Sequence, residues 1–472
     1  MTRVVIIGGG PGGYEAALVA RQLAGDVTLV DRDGIGGSAV LTDCVPSKTL
    51  VATAEVMTQV TESSELGLRF DAPGSVEAGV SVEAGVSVDL ASVNERVLRL
   101  AGSQSEDIAD RLSRDGVRML TGRGRLDGPE HVVVETPTGT ETLDADVVLV
   151  ATGARPRVLE SSPPDGERIL TWTQVYGLTE LPERLIVVGS GVTGAEFASA
   201  YDALGSEVVL VSSRDRVLPG EDADAATVLE DVFARRGLTV MARSRAERVE
   251  RRGDEVVVHL QGGGSVTGSH CLLAVGSLPN TEDLGLAEAG VALDERGFIT
   301  VDGVSRTTAR GVYAAGDCTG VLMLASVAAM QGRIAMWHAL GDAVSPLRQT
   351  EVSSNIFTAP EIATVGWTQS QVDSGQARAI AISLPLRGNA RAKMQGIRDG
   401  FVKLFCLPTT GIVVGGVVVS PRASELIHPI ALAVSGRLTV DQLAHAFTVY
   451  PSLSGSLAEA ARRLHNHAEQ LV

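Results

Sequence analysis

The sequence predicts an α/β chain in which two Rossmann-like domains are followed by an α+β domain, and three observations predict it. Strand-like and helix-like runs alternate at the N-terminus as RVVIIGG, YEAALVARQL and DVTLVDRD. The alternation returns at residue 184 as RLIVVGS, AEFASAYDAL and SEVVLVSS. In residues 351–472 it gives way to FVKLFC and GIVVGGVVVS, which read as antiparallel strands, flanked by the helical stretches SELIHPIALAVSG and SLAEAARRLHNHAEQL. An apolar strand, a glycine turn and a helix in succession mark βαβ units on a parallel sheet. The two openings lie 189 − 8 = 181 residues apart. That is far too long for a solenoid repeat, so they begin two separate domains.

Each remaining element rests on local chemistry. VNERVLRLAGSQSEDIADRLSRDG has helical spacing and stops at a glycine. Residues 74–88, GSVEAGVSVEAGVSV, form a short tandem repeat without bulky core residues and read as a surface loop insertion. The N-terminal apolar run is broken by five glycines and a proline, so it reads as a buried strand and turn rather than an export signal. No breaker-free run of 18 apolar residues occurs, and a cytoplasmic protein without a membrane span is expected.

Composition removes several function classes. With 40 Lys+Arg against 57 Asp+Glu the chain carries −17, a field that repels nucleic acid phosphates. Cys44, Cys271, Cys318 and Cys406 are scattered, with no C-x-x-C, and do not form a secreted disulfide framework. The last three sit in apolar strands or strand ends and read as core. The eight histidines make no H-x-x-x-H or H-E-x-x-H, with His465 and His467 facing solvent near the C-terminus, so no metal site is expected.

Two phosphate cradles carry the chemistry. The first is Gly8-x-Gly10-x-x-Gly13, between a strand and a helix, with Asp31 ending the next strand. Gly8 permits the tight turn, Gly10 lets backbone approach a pyrophosphate, and Gly13 lets helix pack on strand. Asp31 is placed to accept from ribose hydroxyls. The second is Gly189-x-Gly191-x-x-Gly194 in the same setting. Its second strand ends in Ser212 and Ser213, with Arg214 and Arg216 beyond and no acid at the tip. Hydroxyls and guanidinium groups hold a 2′-phosphate that an acid repels, which favours NADPH or tolerance of both nicotinamide cofactors. A solvated surface turn with Asp215 among the arginines is the alternative. Two such sites in one chain imply a resident flavin and an exchanging nicotinamide.

GIGGSAVLTDCVPSKTL, VVLVATGARP, GVYAAGDCTG and FTAPEIATVG together resemble the pyridine nucleotide–disulfide oxidoreductases, the family of lipoamide dehydrogenase and glutathione reductase. The resemblance covers nearly the whole chain. It implies FAD at the first site, NADPH or NADH at the second, and a C-terminal dimerisation domain in a homodimer. The implied boundaries are 1–157 and 283–350 for the FAD-binding part, 158–282 for the NAD(P)H-binding part and 351–472 for the interface. It further implies that Asp317 meets the flavin's ribityl chain and that Met323, Leu324 and Ala325 cover the isoalloxazine. Lys48 is expected near flavin N5, paired with Glu196. Pro11, Gly12, Arg32, Gly36, Gly37, Cys44, Gly124, Thr152 and Gly153 complete the implied FAD contacts, and Val192, Ala246 and Gly276 those of the nicotinamide cofactor.

The departures redirect the expectation. The family's redox centre has two cysteines separated by four residues, and here Ala39 stands at the first position and Cys44 at the second. One thiol cannot close an intramolecular disulfide. The family's C-terminal histidine and glutamate are replaced by Tyr450 and Gly455 in VYPSLSG, and neutral tyrosine is a poor base near pH 7. Cys44 is then either a thiolate in contact with flavin or, by preference, a small packing residue. Tyr450 either orients a quinone carbonyl or fills the histidine's space. DGIGGSAVLTDCVPSKT, LIVVGSGVTGAEF, LASVAAMQGRIAM and VYPSLSGS resemble more closely an actinobacterial branch of NAD(P)H:quinone reductases without the dithiol. The expected activity is hydride transfer from NAD(P)H through FAD to a small quinone, with Lys48, Glu196 and Tyr450 at the reacting centre. Pyridine nucleotide transhydrogenation and a non-catalytic flavoprotein scaffold are the alternatives.

Overall fold

The computed structural model describes residues 1–68 and 86–469. Residues 74–85 of the tandem repeat and the side chain of His467 lie outside what it describes. The chain divides into two compact units: Met1–Thr49 with Asn94–Arg157 and Gly276–Arg348, and Leu50–Val93 with Val158–Val275 and Gln349–Val472.

The first unit is built on a five-stranded parallel sheet. Arg3–Ile7 pairs with Asp26–Asp31 on one side and Val147–Val150 on the other; Arg118–Thr121 and Val312–Ala314 form the edges. The period of two explains the apolar run RVVII. Val4 and Ile6 pack among the helical residues Ala16, Ala17, Ala335 and Met336. Val5 and Ile7 point the other way, onto Val132 and Val134 of the antiparallel sheet Arg123–Leu126, His131–Thr136 and Gly139–Asp144. A strand covered on both faces has no polar side to show. The helices Pro11–Gln22 and Ala325–Ala339 approach closely because Gly332 has no side chain. A Cβ there would lie 2.0 Å from the Gly12 carbonyl oxygen.

The second unit repeats the plan. Arg184–Val188 is central in a parallel sheet with Glu207–Val211, Thr239–Met241, His270–Leu273 and Ile169–Thr171. Ile186 and Val188 pack on Val249, Val256 and Val258 of a three-stranded antiparallel sheet. The same unit holds the antiparallel sheet of Ser353–Ile356, Glu361–Gly366, Val413–Ser420, Phe401–Cys406 and Ile380–Pro385. Helices from the C-terminal stretch, Gly455–Glu469 among them, cover it through a core containing Leu404, Val418 and Leu457. The sequence reads 424–436 as one helix, but the structure splits it into Ala423–Leu426 and His428–Ser435. Pro429 lacks an N–H and is tolerated only in a first turn, so a helix restarts there.

Lys403 crosses the second unit's interior. Its Nζ lies 2.8 Å from Asp222 Oδ2 and 2.7 Å from Asp224 Oδ2, and its side chain is 3% exposed. Asp222 also caps the helix Ala223–Arg236 by accepting from the Asp224 and Ala225 N–H groups. The ion pairs therefore tie the strand Phe401–Cys406 to that helix. Cys271, Cys318 and Cys406 are buried, as their apolar surroundings in the sequence indicate.

Candidate functional site

In the first unit the glycines of the N-terminal turn divide into two kinds. Gly8, at φ +112°, would place a Cβ 2.2 Å from the Ala151 carbonyl oxygen, and a Cβ on Gly13 would lie 1.8 Å from the Gly8 carbonyl oxygen. The fold itself demands these two. Gly10 has an ordinary φ of −68°, and its Cβ would meet only the Gly37 Cα, at 4.0 Å. Gly37 is needed in turn because its Cβ would press within 2.7 Å of the Gly10 Cα. Pro11 opens the helix, where a missing N–H costs nothing, and no side chain caps the Gly10 end. An uncapped helix start beside open backbone suits a phosphate.

Asp31 has more to do than the ribose contact expected of it. Its Oδ2 accepts from the Gly9 N–H at 2.5 Å, and its Oδ1 from the Asp33 and Gly34 N–H groups at 2.8 and 2.6 Å. The carboxylate fastens the glycine turn to the strand end, leaving about one of its roughly four lone-pair sites. Arg32 pairs with exposed Asp33. Gly36 donates its N–H to the Gly9 carbonyl at 2.8 Å. Thr152 Oγ1 donates to the Asn280 carbonyl at 2.6 Å, and Asn280 closes the ring through Thr152 O and Gly153 O. Asn280, 128 residues from Thr152, carries no motif and is missed by sequence reasoning. Gly124 serves packing, since a Cβ there would meet Ile7 Cγ2 at 3.2 Å.

Ala39 lies in the short helix Gly37–Leu41, and Cys44 opens the helix Cys44–Glu62. Cys44 and Lys48 share a helix face at i, i+4. Cys44 is half-buried and is the one cysteine of the four that is not in a core. Lys48 Nζ donates to Ser47 Oγ at 3.2 Å. Asp317 opens a short turn after the strand Val312–Ala314, and burial, with the charge of Asp43 adding, pushes its carboxyl up to about 6. Met323 is exposed, Leu324 precedes the helix Ala325–Ala339, and Ala325 begins it.

In the second unit the turn has the same two kinds of glycine. Gly189, at φ +114°, would put a Cβ 2.2 Å from the Ala274 carbonyl oxygen, and Gly194 one 1.9 Å from the Gly189 carbonyl oxygen. Around Gly191, at φ −74°, a Cβ would meet nothing within 4 Å. Val192 begins the helix and is exposed. Glu196 is buried one turn in, its Oε1 accepting from the Phe357 N–H at 2.9 Å. Ser213 and Arg214 are exposed, as a phosphate ligand must be. Ser212 is not: it is 0% exposed, and its Oγ lies 2.7 Å from Ser190 Oγ. It braces the site from behind instead of facing a ligand. Ala246 starts the strand Ala246–Arg252, whereas Gly276 belongs to the first unit, where its carbonyl accepts from the Arg157 N–H of that same unit. Tyr450 is 85% exposed, next to exposed Phe447 and Val449. Among the described residues no group of three or more His, Cys, Asp or Glu could hold a metal, and no helix is long and apolar enough to cross a membrane.

The family described as pyridine nucleotide-disulphide oxidoreductase matches residues 2–332, and its dimerisation domain matches residues 352–461. A Mycobacterium tuberculosis protein named NAD(P)H dehydrogenase (quinone) is 54% identical, over 99% of this chain and 94% of its own. A dihydrolipoyl dehydrogenase of Zymomonas mobilis is 32% identical over 98% of both chains. The crystal structure of LpdA from M. tuberculosis superposes with a TM-score of 0.92 at 53% identity, covering 98% of this chain and all of the other.

Proposed function

The chain belongs to the pyridine nucleotide-disulphide oxidoreductase family, and from that premise we propose that it is an FAD-dependent NAD(P)H:quinone oxidoreductase acting as a homodimer. The family uses FAD and NAD(P)H. The two turns fit such ligands, because Gly10 and Gly191 lack a side chain that no protein atom forbids. In this reading residues 1–157 and 283–350 take FAD, residues 158–282 take NAD(P)H, and residues 351–472 form the interface. Bound FAD supplies a two-electron relay from nicotinamide to the acceptor.

The observation that carries the choice of acceptor is the lone thiol. Cys44 has Ala39 where a second cysteine would stand, and the other three cysteines are locked in cores. None of the four is joined in a disulfide. The 54% identical relative with quinone in its name supports the same reading. The residues then have these tasks. The glycine turns and their helix starts bind the two pyrophosphates. Asp317 offers a carboxyl to hydroxyls of the flavin's chain. Lys48 supplies positive charge near the ring, and Met323, Leu324 and Ala325 exclude water from it. Tyr450 presents an apolar ring with a polar tip to the quinone. The four scattered cysteines, none of them in a disulfide, fit the reducing cytoplasm in which we place the enzyme.

The test is anaerobic NADPH oxidation by the yellow protein with a small naphthoquinone, lipoamide or NAD⁺ as acceptor. Turnover with quinone and none with lipoamide is expected. Turnover with lipoamide would mean that another thiol has taken over, and turnover with NAD⁺ alone would make the protein a transhydrogenase.

A further inference from the structure

Tyr450 ends a stretch that little packing holds, since Phe447, Val449 and Tyr450 itself are all exposed. The chain reaches it from the helix Val440–His445 and leaves it for the helix Gly455–Glu469. Its anchors lie on the second side. Leu453 packs against the core that contains Leu404 and Leu457, and the Gly455 N–H donates to Ser452 Oγ over 3.2 Å. Only Pro451, whose ring fixes its φ, stands between Tyr450 and Ser452. A restraint on Ser452 is therefore passed on to Tyr450.

That restraint comes from a residue 63 positions away. Asn389 Nδ2 donates to the Ser452 carbonyl over 3.0 Å and to Ser456 Oγ over 2.8 Å. Its Oδ1 accepts from the Arg391 and Ala392 N–H groups at 2.8 and 3.1 Å, which caps the short helix Ala390–Met394. A side-chain amide has two N–H donors and two acceptor sites, and Asn389 uses all of them. Its acceptor side holds a helix whose Ala392 is sealed in the core beneath the C-terminal sheet. Its donor side holds the segment that follows Tyr450. The two sides do different work, and a carboxylate in this place could do only the first.

We propose that Asn389 is the positioning residue of the acceptor site, its Nδ2 group holding residues 451–456 so that Tyr450 is presented to the quinone in one orientation. The inference rests on the reading of Tyr450 given above. Flavin reduction by NADPH does not involve Tyr450 in that reading, so Asn389 acts on the second half of the cycle alone.

Asn389→Asp separates the two sides of the amide. Aspartate caps a helix as well as asparagine does, but it sets an oxygen against the Ser452 carbonyl. Anaerobic stopped-flow absorbance of the FAD-loaded protein follows flavin reduction by NADPH, and steady-state turnover with a small naphthoquinone gives kcat/KM for the acceptor. Asn389→Asp should reduce its flavin at the native rate, while kcat/KM for the quinone falls about tenfold. Ser456→Ala removes one of the two acceptors and should lower the same quantity about threefold, which supplies the measurement should Asn389→Asp not fold. In a Tyr450→Ala background Asn389→Asp should cost nothing further. Equal slowing of both halves of the cycle, a native kcat/KM for quinone in both variants, or losses that add fully to that of Tyr450→Ala would overturn the role of Asn389. A native kcat/KM for quinone in Tyr450→Ala would instead overturn the reading of Tyr450, and the positioning role with it.

Discussion

Alanine in place of Gly191 adds one methyl group at a point where the fold has room for it. Its Cβ would meet no protein atom within 4 Å, and φ −74° is ordinary for alanine. Two small effects on stability oppose each other. Reduced freedom of the unfolded chain contributes about 0.4–1 kcal/mol in favour of the variant. Alanine is a poorer residue than glycine at the cap of the helix Val192–Leu204, which costs a similar amount, roughly 0.5–1 kcal/mol. Gly191→Ala should therefore melt within a few degrees of the native protein. A pyrophosphate drawn against the backbone at Gly191 would meet the new methyl, and NADPH affinity should fall at least tenfold, about 1.4 kcal/mol. Gly194→Ala is the control. Its Cβ would sit 1.9 Å from the Gly189 carbonyl oxygen, so that variant should lose stability by several kcal/mol before any question of ligand arises. Thermal denaturation of the FAD-loaded protein and titration with NADP⁺ read the two quantities separately. Unchanged NADP⁺ affinity in a folded Gly191→Ala protein would refute the assignment of this turn to a pyrophosphate.

Three further outcomes are expected. Asp317 has its carboxyl raised to about 6 by burial and by Asp43. The folded apoprotein therefore holds a proton that the unfolded chain releases near 3.8, and stability falls as pH rises from about 4 to 6. Asp317→Asn should remove that fall and stabilise the FAD-free protein at pH 7 by on the order of 2–3 kcal/mol, seen in melts across about pH 4–8; equal gains at both ends of that range would contradict it. Lys403→Met leaves Asp222 buried without its cation and should cost about 3–5 kcal/mol in urea denaturation, whereas an exposed pair such as Arg32–Asp33 should cost under about 1 kcal/mol. Ala39→Cys should bring no lipoamide-dependent NADH oxidation, since Tyr450 and Gly455 still stand where a base and its partner are required.

The sequence determined most of what depends on near neighbours, the helix break at Pro429 being a local feature its reading passed over. Alternating apolar runs set both parallel sheets, because a strand buried on two faces must be apolar throughout, and the two glycine motifs located the turns between strand and helix. Family resemblance and the departures at Ala39, Tyr450 and Gly455 were equally legible, being matters of identity at a position. Tertiary structure decided which side chains are free to act. Ser212 reads as a phosphate ligand by its place after the strand, yet it is sealed behind that place by Ser190. Asp31 reads as a ribose acceptor, yet it spends three acceptor sites on backbone N–H groups. Asn389 could not be found in the sequence at all, because only the meeting of two distant segments brings it to Ser452. Local spacing sets the shape of a turn, whereas burial and the partners of a hydroxyl, carboxylate or amide are set by chain segments that meet only when the sheet is assembled.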